Sequence, residues 1–430
     1  MMNPQWPTYM LEDCMEAIID YRGKTPKKTT FGIPLITAKI IKKGTILPVE
    51  EYISPDDYNE WMRRGLPKQG DVVLTTEAPL GEVAQLQNSK VALAQRVVTL
   101  RGKNGFLDNT FLKYLLLDNS VQNLLKSKST GTTVTGIKQR ELRKIKLSFP
   151  PFSEQQAIAH ILGTLDDKIE LNRRQNATLE AVAQAIFKEW FVDFGPVRAK
   201  MEGRQPEGMS REIADLFPDR LDAEGKPEGW KWAVLSDCCE INPKRVLQKN
   251  KYASYLDMSN MPTTNALPHK WNMRNFTSGM KFMNGDTLIA RITPCLENGK
   301  TAFVEFLKND EVGWGSTEYI VLRPKANISP FWGYLLSKTD EFRKFAIQSM
   351  TGTSGRQRVQ VDQLAGFQIV KAPDTIHNIL KIQFDSIVRK LSKNRNEANI
   401  LIDIRDTLLP KLISGELRVP DAEKMVADIV

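Results

Sequence analysis

Two stretches of the chain combine hydroxyl, glycine and basic residues in the same order. TGTTVTGIKQREL begins at Thr130, and TGTSGRQRVQVDQL begins at Thr351. Threonine hydroxyls, the backbone N–H groups of glycine turns, and lysine or arginine side chains all donate hydrogen bonds to phosphate oxygens. These residue types therefore predict phosphate binding at two places in the chain.

Basic residues are concentrated around both stretches. Positions 122–146 contain seven lysine and arginine residues and one acidic residue, Glu141. Positions 343–371 contain five basic residues and one acidic residue, Asp362. A single run of charge is usually a solvated surface, and that alternative stays open. Two basic runs at matching positions, in a chain with a formal net charge of +9, favour a phosphate-binding surface.

The two stretches belong to a longer internal repeat. LEDC, GDVVLTTEAP, VVTLRGK and FLKYLL in the first half match LSDC, GDTLIARITP, YIVLRPK and FWGYLL in the second half, in the same order. Their β-branched runs predict short strands at 72–75, 97–100, 287–290 and 320–322. A short helix and then the Gly/Thr basic stretch follow in each half. We therefore expect two similar α/β units.

A long amphipathic pattern follows each unit. The first copy, SEQQAIAHILGTLDDKIELNRRQNATLEAVAQAIFKEWF, starts with Ser153 and Gln156 at the N-cap and N3 spacing of a capping box. Apolar residues then recur every three or four positions, which is typical of a coiled coil, and a buried Asn in such a seam fixes its register. Two unrelated amphipathic core helices are the alternative. The predicted seam residues are Leu162, Leu165, Ile169, Asn172, Leu179, Phe384, Ile387, Leu391, Asn394 and Leu401.

The chain is too long for one ordinary hydrophobic core. A segment rich in Gly, Pro and charge at 195–228 predicts a linker between the halves. The predicted divisions are a first domain at 1–150, a first helix at 151–194, the linker at 195–228, a second domain at 229–373, a second helix at 374–418 and a C-terminal tail at 419–430.

Other chemistry has weak support in the sequence. GKT at 299–301 resembles the end of a phosphate-binding P-loop, but Pro294 stands where the first glycine must be. Asn242-Pro243 lacks the residues that complete an amino-methylation motif. No Ser/His/Asp or Cys/His set is visible in the sequence. We expect a binding protein with no catalytic residues of its own.

The sequence also gives expectations about metals and location. The four cysteines form no CxxC pair and the three histidines are scattered, so no metal site and no disulfide framework are expected. No apolar run is long enough for a membrane span, and the first residues lack the pattern of a signal peptide. A cytoplasmic protein with reduced thiols is predicted.

Several longer motifs are specific to one family. PPFSEQQAIAHILGTLDDKIELNRRQNATLEAVAQAIFKEWFVDFGPV and IRDTLLPKLISGEL are the strongest, and GDTLIARITPCLENGKTAF, WGSTEY, GTSGRQRV, YRGKTPKK and GDVVLTTEAPLGEVA add to them. With these motifs the chain resembles the specificity subunit of type I restriction-modification systems over essentially its whole length. One departure is that Thr375-Ile376-His377 follows the proline of the second helix, where the family pattern has an EQ pair.

The resemblance implies an α+β fold with two similar α/β target-recognition domains. Two long conserved helices, packed as an antiparallel coiled coil, would separate them in an internal pseudo-twofold repeat. Each domain would read one half of a bipartite site in double-stranded DNA. The helices would bind two modification subunits, which carry S-adenosylmethionine and methylate adenine. A restriction subunit that uses ATP and Mg would complete the complex, and no cofactor is expected on this chain.

The same resemblance suggests which residues contact DNA. In the first basic stretch they are Lys128, Thr130, Thr132, Thr133, Lys138 and Arg140. In the second they are Thr351, Thr353, Ser354, Arg356, Gln357 and Arg358. Further candidates, each equally explained as surface charge, are Lys24, Thr25, Lys27, Lys28, Lys244, Arg245 and Arg291. Two other functions stay open: a standalone DNA-binding or antirestriction decoy protein, and an enzyme with an unrecognised site.

Overall fold

The computed structural model describes residues 6–21, 25–131, 134–353 and 355–427. The chain divides into two compact units. Unit 1 comprises Met1–Ile169 and Ile400–Val430, and unit 2 comprises Glu170–Asn399. Each long helix therefore contributes to both units, whereas the sequence-based division treats each helix as a separate segment.

The first half of the chain contains the following elements. Its strands are β1 (Thr8–Met10), β2 (Met15–Asp20), β3 (Lys28–Thr29), β4 (Ile33–Ile36), β5 (Ile41–Lys42), β6 (Thr45–Ile46), β7 (Tyr52–Ile53), β8 (Val72–Thr76), β9 (Leu80–Gln85), β10 (Ala92–Leu93), β11 (Val97–Gly102) and β12 (Lys146–Ser148). Its helices are α1 (Leu11–Cys14), α2 (Tyr58–Trp61), α3 (Asn109–Leu117), α4 (Asn119–Ser127), α5 (Gln139–Arg143) and α6 (Phe152–Phe191).

The second half repeats much of this order. Its strands are β13 (Lys231–Val234), β14 (Cys239–Ile241), β15 (Tyr252–Leu256), β16 (Asn272–Asn275), β17 (Met280–Phe282), β18 (Thr287–Ala290), β19 (Thr301–Phe303), β20 (Gly313–Gly315), β21 (Tyr319–Pro324), β22 (Met350–Thr351), β23 (Arg358–Val359) and β24 (Gln368–Lys371). Its helices are α7 (Gly195–Met201), α8 (Arg211–Ala214), α9 (Leu235–Cys238), a 3-10 turn at Met258–Asn260, α10 (Trp332–Ser337), α11 (Asp340–Gln348), α12 (Val361–Ala365), α13 (Asp374–Ser414) and α14 (Val419–Ala427).

The main sheet of each unit has the same topology. The strand order is β2-β11-β8-β9 in unit 1 and β14-β21-β18-β19 in unit 2, with antiparallel neighbours throughout. Every residue of β8 and β18 is buried, because both faces of these inner strands are covered and the strands consist of aliphatic residues, threonine and alanine. The four strands predicted from the sequence lie within β8, β11, β18 and β21 and are confirmed.

A smaller sheet accompanies each main sheet. Its order is β10-β4-β7-β3 in unit 1 and β16-β15-β20-β17 in unit 2. Each contains one parallel pair, β4 with β10 and β15 with β20, among antiparallel neighbours. The two halves therefore share a two-sheet plan, although their smaller sheets differ in strand order.

Helix α6 begins at Phe152, two residues earlier than the capping box predicts. The carbonyl of Pro151 accepts hydrogen bonds from the N–H groups of Glu154 at 3.0 Å and Gln155 at 3.1 Å. Ser153 therefore lies inside the first turn, and its prediction as the N-cap is wrong. No helix in the described ranges has both the length and the apolar composition that a membrane span needs.

The start of each long helix is attached to its unit differently. In unit 1 the buried amide of Gln155 donates to the carbonyl of Phe106 at 3.0 Å and accepts from the N–H of Asp108 at 3.0 Å. His377 stands 222 residues later and is also buried, but its ring stacks on Phe191 with centroids 5.5 Å apart. Burial lowers the pKa of His377 to about 4, so the imidazole is neutral at ordinary pH. An aromatic contact thus replaces the amide hydrogen bonds at the departure from the EQ pattern.

The two long helices pack on each other in antiparallel orientation. In unit 1 Arg405 Nη1 donates to Asp166 at 2.7 Å, and in unit 2 Asn394 Nδ2 donates to Asn176 at 3.0 Å. The residue numbers of the contacting residues on α13 thus decrease as those on α6 increase, which defines the antiparallel orientation. Asn394 binds Asn176 and Gln175, although the sequence repeat equates it with Asn172. Of the predicted seam residues, Leu179 and Ile387 are half-buried, and the buried ones are Leu162, Leu165, Ile169, Asn172, Phe384, Leu391, Asn394 and Leu401.

Residues 195–228, predicted as a linker, are folded against unit 2. The segment contains α7 and α8, and Val197 and Phe217 are buried in the hydrophobic core of the unit. The ring of Phe217 makes an edge contact with Trp190, with centroids 5.0 Å apart. The Gly, Pro and charge content predicted a loop, but a few apolar side chains are enough to fix the segment to the core.

Candidate nucleic-acid interface

We define the first basic loop as residues 128–140 and the second basic loop as residues 351–358. The second follows α11 and is closed by a short pair of strands, in which Met350 lies opposite Val359 and Thr351 opposite Arg358. Gly352 has φ of +127°, a conformation that side-chain-bearing residues rarely adopt, and a Cβ there would lie 3.0 Å from the carbonyl oxygen of Arg356. Glycine is therefore required at this turn.

The second basic loop is attached to the end of β18. The N–H of Val359 donates to the carbonyl of Arg291 at 2.9 Å. Gln357 and Thr293 exchange two hydrogen bonds of 3.1 Å, one through the Thr293 hydroxyl and one between backbone groups. The fold therefore brings GTSGRQRV next to the end of GDTLIAR, two motifs that are about 60 residues apart in the sequence.

The first basic loop has an equivalent attachment in unit 1. Thr130 and Gly136 exchange backbone hydrogen bonds of 2.8 and 3.0 Å, which closes the loop. The N–H of Ile137 then donates to the carbonyl of Thr76 at the end of β8, at 2.9 Å. Gly131 has φ of +112°, and a Cβ there would lie 2.2 Å from the carbonyl oxygen of Val134. Both halves thus present a glycine-turned basic loop at the end of the same inner strand.

An ion-pair cluster lies at the attachment point in unit 2. Arg358 donates from Nε to both carboxylate oxygens of Glu318 at 3.0 Å and from Nη2 to Oε1 at 2.8 Å. Arg291 Nε donates to Glu318 Oε2 at 3.1 Å. The hydrogen bonds from Arg358, with those from Arg291, outweigh partial burial and lower the pKa of Glu318, so the carboxylate is ionised.

The equivalent position in unit 1 carries the reverse charge. Arg96 accepts a backbone hydrogen bond from Thr76 N, as Glu318 does from Arg291 N. The side chain of Arg96 pairs with Glu77, at 2.9 Å between Nε and Oε1. The sequence interpretation identified neither Glu318 nor the Glu77–Arg96 pair. Glu318 lies outside both basic runs in the sequence, and only the fold shows that Arg291 and Arg358 meet it.

The predicted DNA-binding residues fall into three groups. Those that are exposed are Thr25, Lys27, Lys28, Lys128, Thr130, Lys138, Arg140, Lys244, Thr351, Thr353 and Arg356. Among these, Lys28 pairs with Glu51 at 2.8 Å, and Arg140 lies 3.2 Å from Glu141. Half-buried residues are Arg245, Arg291, Gln357 and Arg358. Lys24, Thr132, Thr133 and Ser354 lie outside the described residues.

Arg245 differs from the other candidates in its surroundings. Its Nη2 donates to both oxygens of the fully buried Asp286 at 2.8 Å, and Arg323 Nε pairs with the same carboxylate at 2.6 Å. An arginine bound to a buried carboxylate is costly to remove, because the carboxylate would be left unpaired. These contacts give Arg245 a role in holding unit 2 together.

A second basic run in unit 2 was only partly singled out from the sequence, at Lys244 and Arg245. Positions 244–281 contain seven lysine and arginine residues and one acidic residue, Asp257. A count of charges along the sequence could have found this run. Arg274 lies over the ring of Tyr255 at 4.5 Å, and Lys281 lies over the ring of Phe276 at 5.1 Å. Each contact is a cation–π interaction, in which the charged group is attracted to the face of the ring.

Comparisons with known proteins agree on one family. Residues 5–181 match the type I restriction modification DNA specificity domain. The type I restriction enzyme MjaIX specificity subunit of Methanocaldococcus jannaschii is 26% identical over 440 residues, covering 97% of this chain and 94% of the relative. The HindI specificity subunit of Haemophilus influenzae is 26% identical over 363 residues, covering 71% of this chain and 77% of the relative.

A solved structure shares the fold of both halves. The type I restriction-modification system S subunit from M. genitalium matches with a TM-score of 0.56 at 16% sequence identity, covering 96% of this chain and 97% of that one. The duplicated two-sheet units and the pair of long helices are therefore features of a known architecture. Over nearly its whole length the chain is similar to type I restriction enzyme specificity subunits, and residues 5–181 match the specificity domain of that family.

Proposed function

We propose that the chain is the sequence-specific DNA-binding subunit of a type I restriction-modification complex, with each domain reading one half of a bipartite DNA site. The observation that carries this proposal is the equivalent attachment of the two basic loops, at the ends of β8 and β18. Two similar readers with different side chains suit a site made of two different half-sequences.

The exposed donors of the loops would bind the DNA backbone. Lys128 and Lys138 in the first loop, and Thr353 and Arg356 in the second, are exposed side chains suited to phosphate oxygens. Arg245 is omitted from the proposed interface because Asp286 occupies its guanidinium. Arg358 and Gln357, which are held more firmly, are candidates for contacts with base edges.

The long helices would bind two modification subunits. Four large apolar side chains on these helices are exposed and therefore accessible to a partner. They are Leu171, Val182, Ile382 and Ile400, with 48%, 45%, 72% and 57% of their surface exposed. S-adenosylmethionine would be carried by the modification subunits, and ATP with Mg by a restriction subunit. This chain would contribute recognition and no catalytic residue.

Two measurements test the proposal. Purification of the tagged chain from its native host should recover a modification subunit, and adenine methylation mapped in the same cells should fall at a two-part sequence. Deletion of the gene for this chain should abolish methylation at that sequence. Specific DNA binding without any modification subunit would instead support the decoy protein, and methyl transfer or ATP hydrolysis by the isolated chain would support an enzyme.

A further inference from the structure

We propose that Glu318 is a specificity-determining residue, which holds Arg358 in an orientation that reads a guanine in the half-site of the second domain. The inference rests on the proposed function and deepens it for one site. It starts from the cluster of Arg291, Glu318 and Arg358, whose members come from three separate stretches of the sequence.

The hydrogen bonds of Arg358 leave one edge of its guanidinium available. A guanidinium has five N–H donors in a planar fork. Glu318 engages the edge formed by Nε and Nη2, at 3.0 and 2.8 Å. Among the described residues, Nη1 meets only the carbonyl of Arg356, at 3.4 Å. The edge formed by Nη1 and Nη2 matches O6 and N7 of guanine in the major groove, and the Arg358 side chain is 39% exposed.

The position of the cluster supports a role at the DNA surface. Arg358 belongs to the second basic loop, and the backbone N–H of the next residue, Val359, is bonded to the carbonyl of Arg291 at 2.9 Å. A carboxylate beside such a loop repels phosphates, so a surface that binds only the DNA backbone gains nothing from Glu318. Fixing the orientation of an arginine that contacts a base is a function that this carboxylate can perform, because an oriented side chain loses less freedom on binding.

The first domain also carries a charged pair at the equivalent edge of its main sheet. This repetition supports a role of that edge in reading the DNA sequence. Arg96 occupies the position equivalent to Glu318 and pairs with Glu77. The backbone arrangement is thus shared, while the charged groups that it presents differ between the halves. Two readers built in this way would prefer different bases at equivalent positions.

The test uses Glu318→Gln in the full chain, purified as the complex from the native host. Binding is measured on a duplex with the mapped site, on duplexes in which each base pair of the second half-site is replaced in turn, and on a shuffled duplex. We expect preference for one G·C pair to fall about tenfold or more, while affinity for the shuffled duplex rises because a negative charge is lost. Arg358→Lys, which keeps the charge but loses the fork, should lose preference at the same base pair.

Glu311→Gln is the matched control, because Glu311 accepts a hydrogen bond from Ser254 at 2.7 Å and neither arginine of the cluster is among its partners. This variant should leave both the preference for the G·C pair and the affinity for the shuffled duplex unchanged. Unchanged preference at every position of the half-site in Glu318→Gln would overturn the inference. Equal weakening on all duplexes with a lower melting temperature would also overturn it, as a purely structural role. Failure of the native complex to prefer the mapped site would instead overturn the proposed function.

Discussion

The pKa values of two carboxylates on α6, half-buried Asp166 and buried Glu180, are shifted in opposite directions. Burial opposes ionisation of Asp166, but Lys113, Tyr114 and Arg405 donate to it at 3.0, 2.6 and 2.7 Å, and together they lower its pKa. Burial dominates at Glu180, which accepts a hydrogen bond from the backbone N–H of Ala266, and raises its pKa to about 7. Asp166 is therefore ionised, whereas Glu180 changes its charge near neutral pH.

Glu180→Gln should stabilise unit 2 at alkaline pH. The folded-state pKa of Glu180 is above its ordinary value of 4.5, so stability falls as pH rises from about 4.5 through about 7. The cost at pH 8 is on the order of 3 kcal/mol. Thermal unfolding should show a higher melting temperature for the variant at pH 8 and little difference at pH 5. Equal melting temperatures at both pH values would contradict the raised pKa.

Individual residues of the proposed interface were the least predictable part of the molecule. The types and spacing around Thr130 and Thr351 indicated both basic loops correctly as equivalent features of the two halves. The same reasoning placed Arg245 only among the further candidates, but it could not show that Arg245 is bound to buried Asp286 while Arg356 is exposed. Partners such as these are about 40 residues apart or more in the sequence and meet only in the folded sheet.

At the scale of elements, the first basic loop depends on the glycine at its turn. Gly131→Ala should disrupt the loop, because φ of +112° is strained for alanine and the new Cβ would lie 2.2 Å from a backbone oxygen. DNA affinity should fall about tenfold, since ~1.4 kcal/mol corresponds to that factor, with a nearly unchanged melting temperature. Gly105→Ala, at φ of +70° with no atom within 4 Å of the new Cβ, is the control. Equal affinities of the two variants would show that the loop does not contribute to binding.

The proposed binding of a modification subunit by the long helices can be tested at the exposed side chain of Ile382. Ile382→Lys should weaken binding of the modification subunit, because a charge would be buried against the partner's apolar surface. The variant should keep its melting temperature, since Ile382 is 72% exposed. Val246→Lys places the same charge on an exposed apolar position outside the helices and is the control. Undiminished co-purification of the modification subunit with Ile382→Lys would exclude this part of α13 from the interface.

The elements with periodic apolar spacing could be predicted from the sequence, whereas the folded state of residues 195–228 could not. The repeated strands and the two long helices follow from regular apolar spacing, which only one kind of element satisfies. Residues 195–228 have no such spacing, and their fixation depends on Phe217 and Val197 reaching a core built from other parts of the chain. A single aromatic residue in a polar segment is a weak signal, so the sequence favoured a linker.

At the scale of the whole molecule, the internal repeat predicts that specificity is divided between the halves. The second domain also has chain ends suited to exchange, because β13 and β24 are paired, with Lys231 opposite Lys371. Its core extends beyond these ends. Phe187 contacts Trp332 with centroids 5.8 Å apart, and Phe384 contacts Phe331 at 6.3 Å. An exchanged domain must therefore keep aromatic residues at the positions of Phe331 and Trp332.

Replacement of residues 229–373 by the matching domain of a relative, with those aromatic residues kept, should change one half of the methylated sequence and leave the other half as it was. The physical reason is that each basic loop is attached within its own unit, at β8 or β18, so the exchange leaves the residues of unit 1 intact. Methylation mapping in cells that carry the hybrid chain and the modification subunit measures both half-sites together. Where the exchanged domain carries a glutamate at the position of Glu318, changing that glutamate to glutamine in the hybrid should alter only the new half-site. Simultaneous change of both half-sites in a folded, active hybrid would contradict two independent readers.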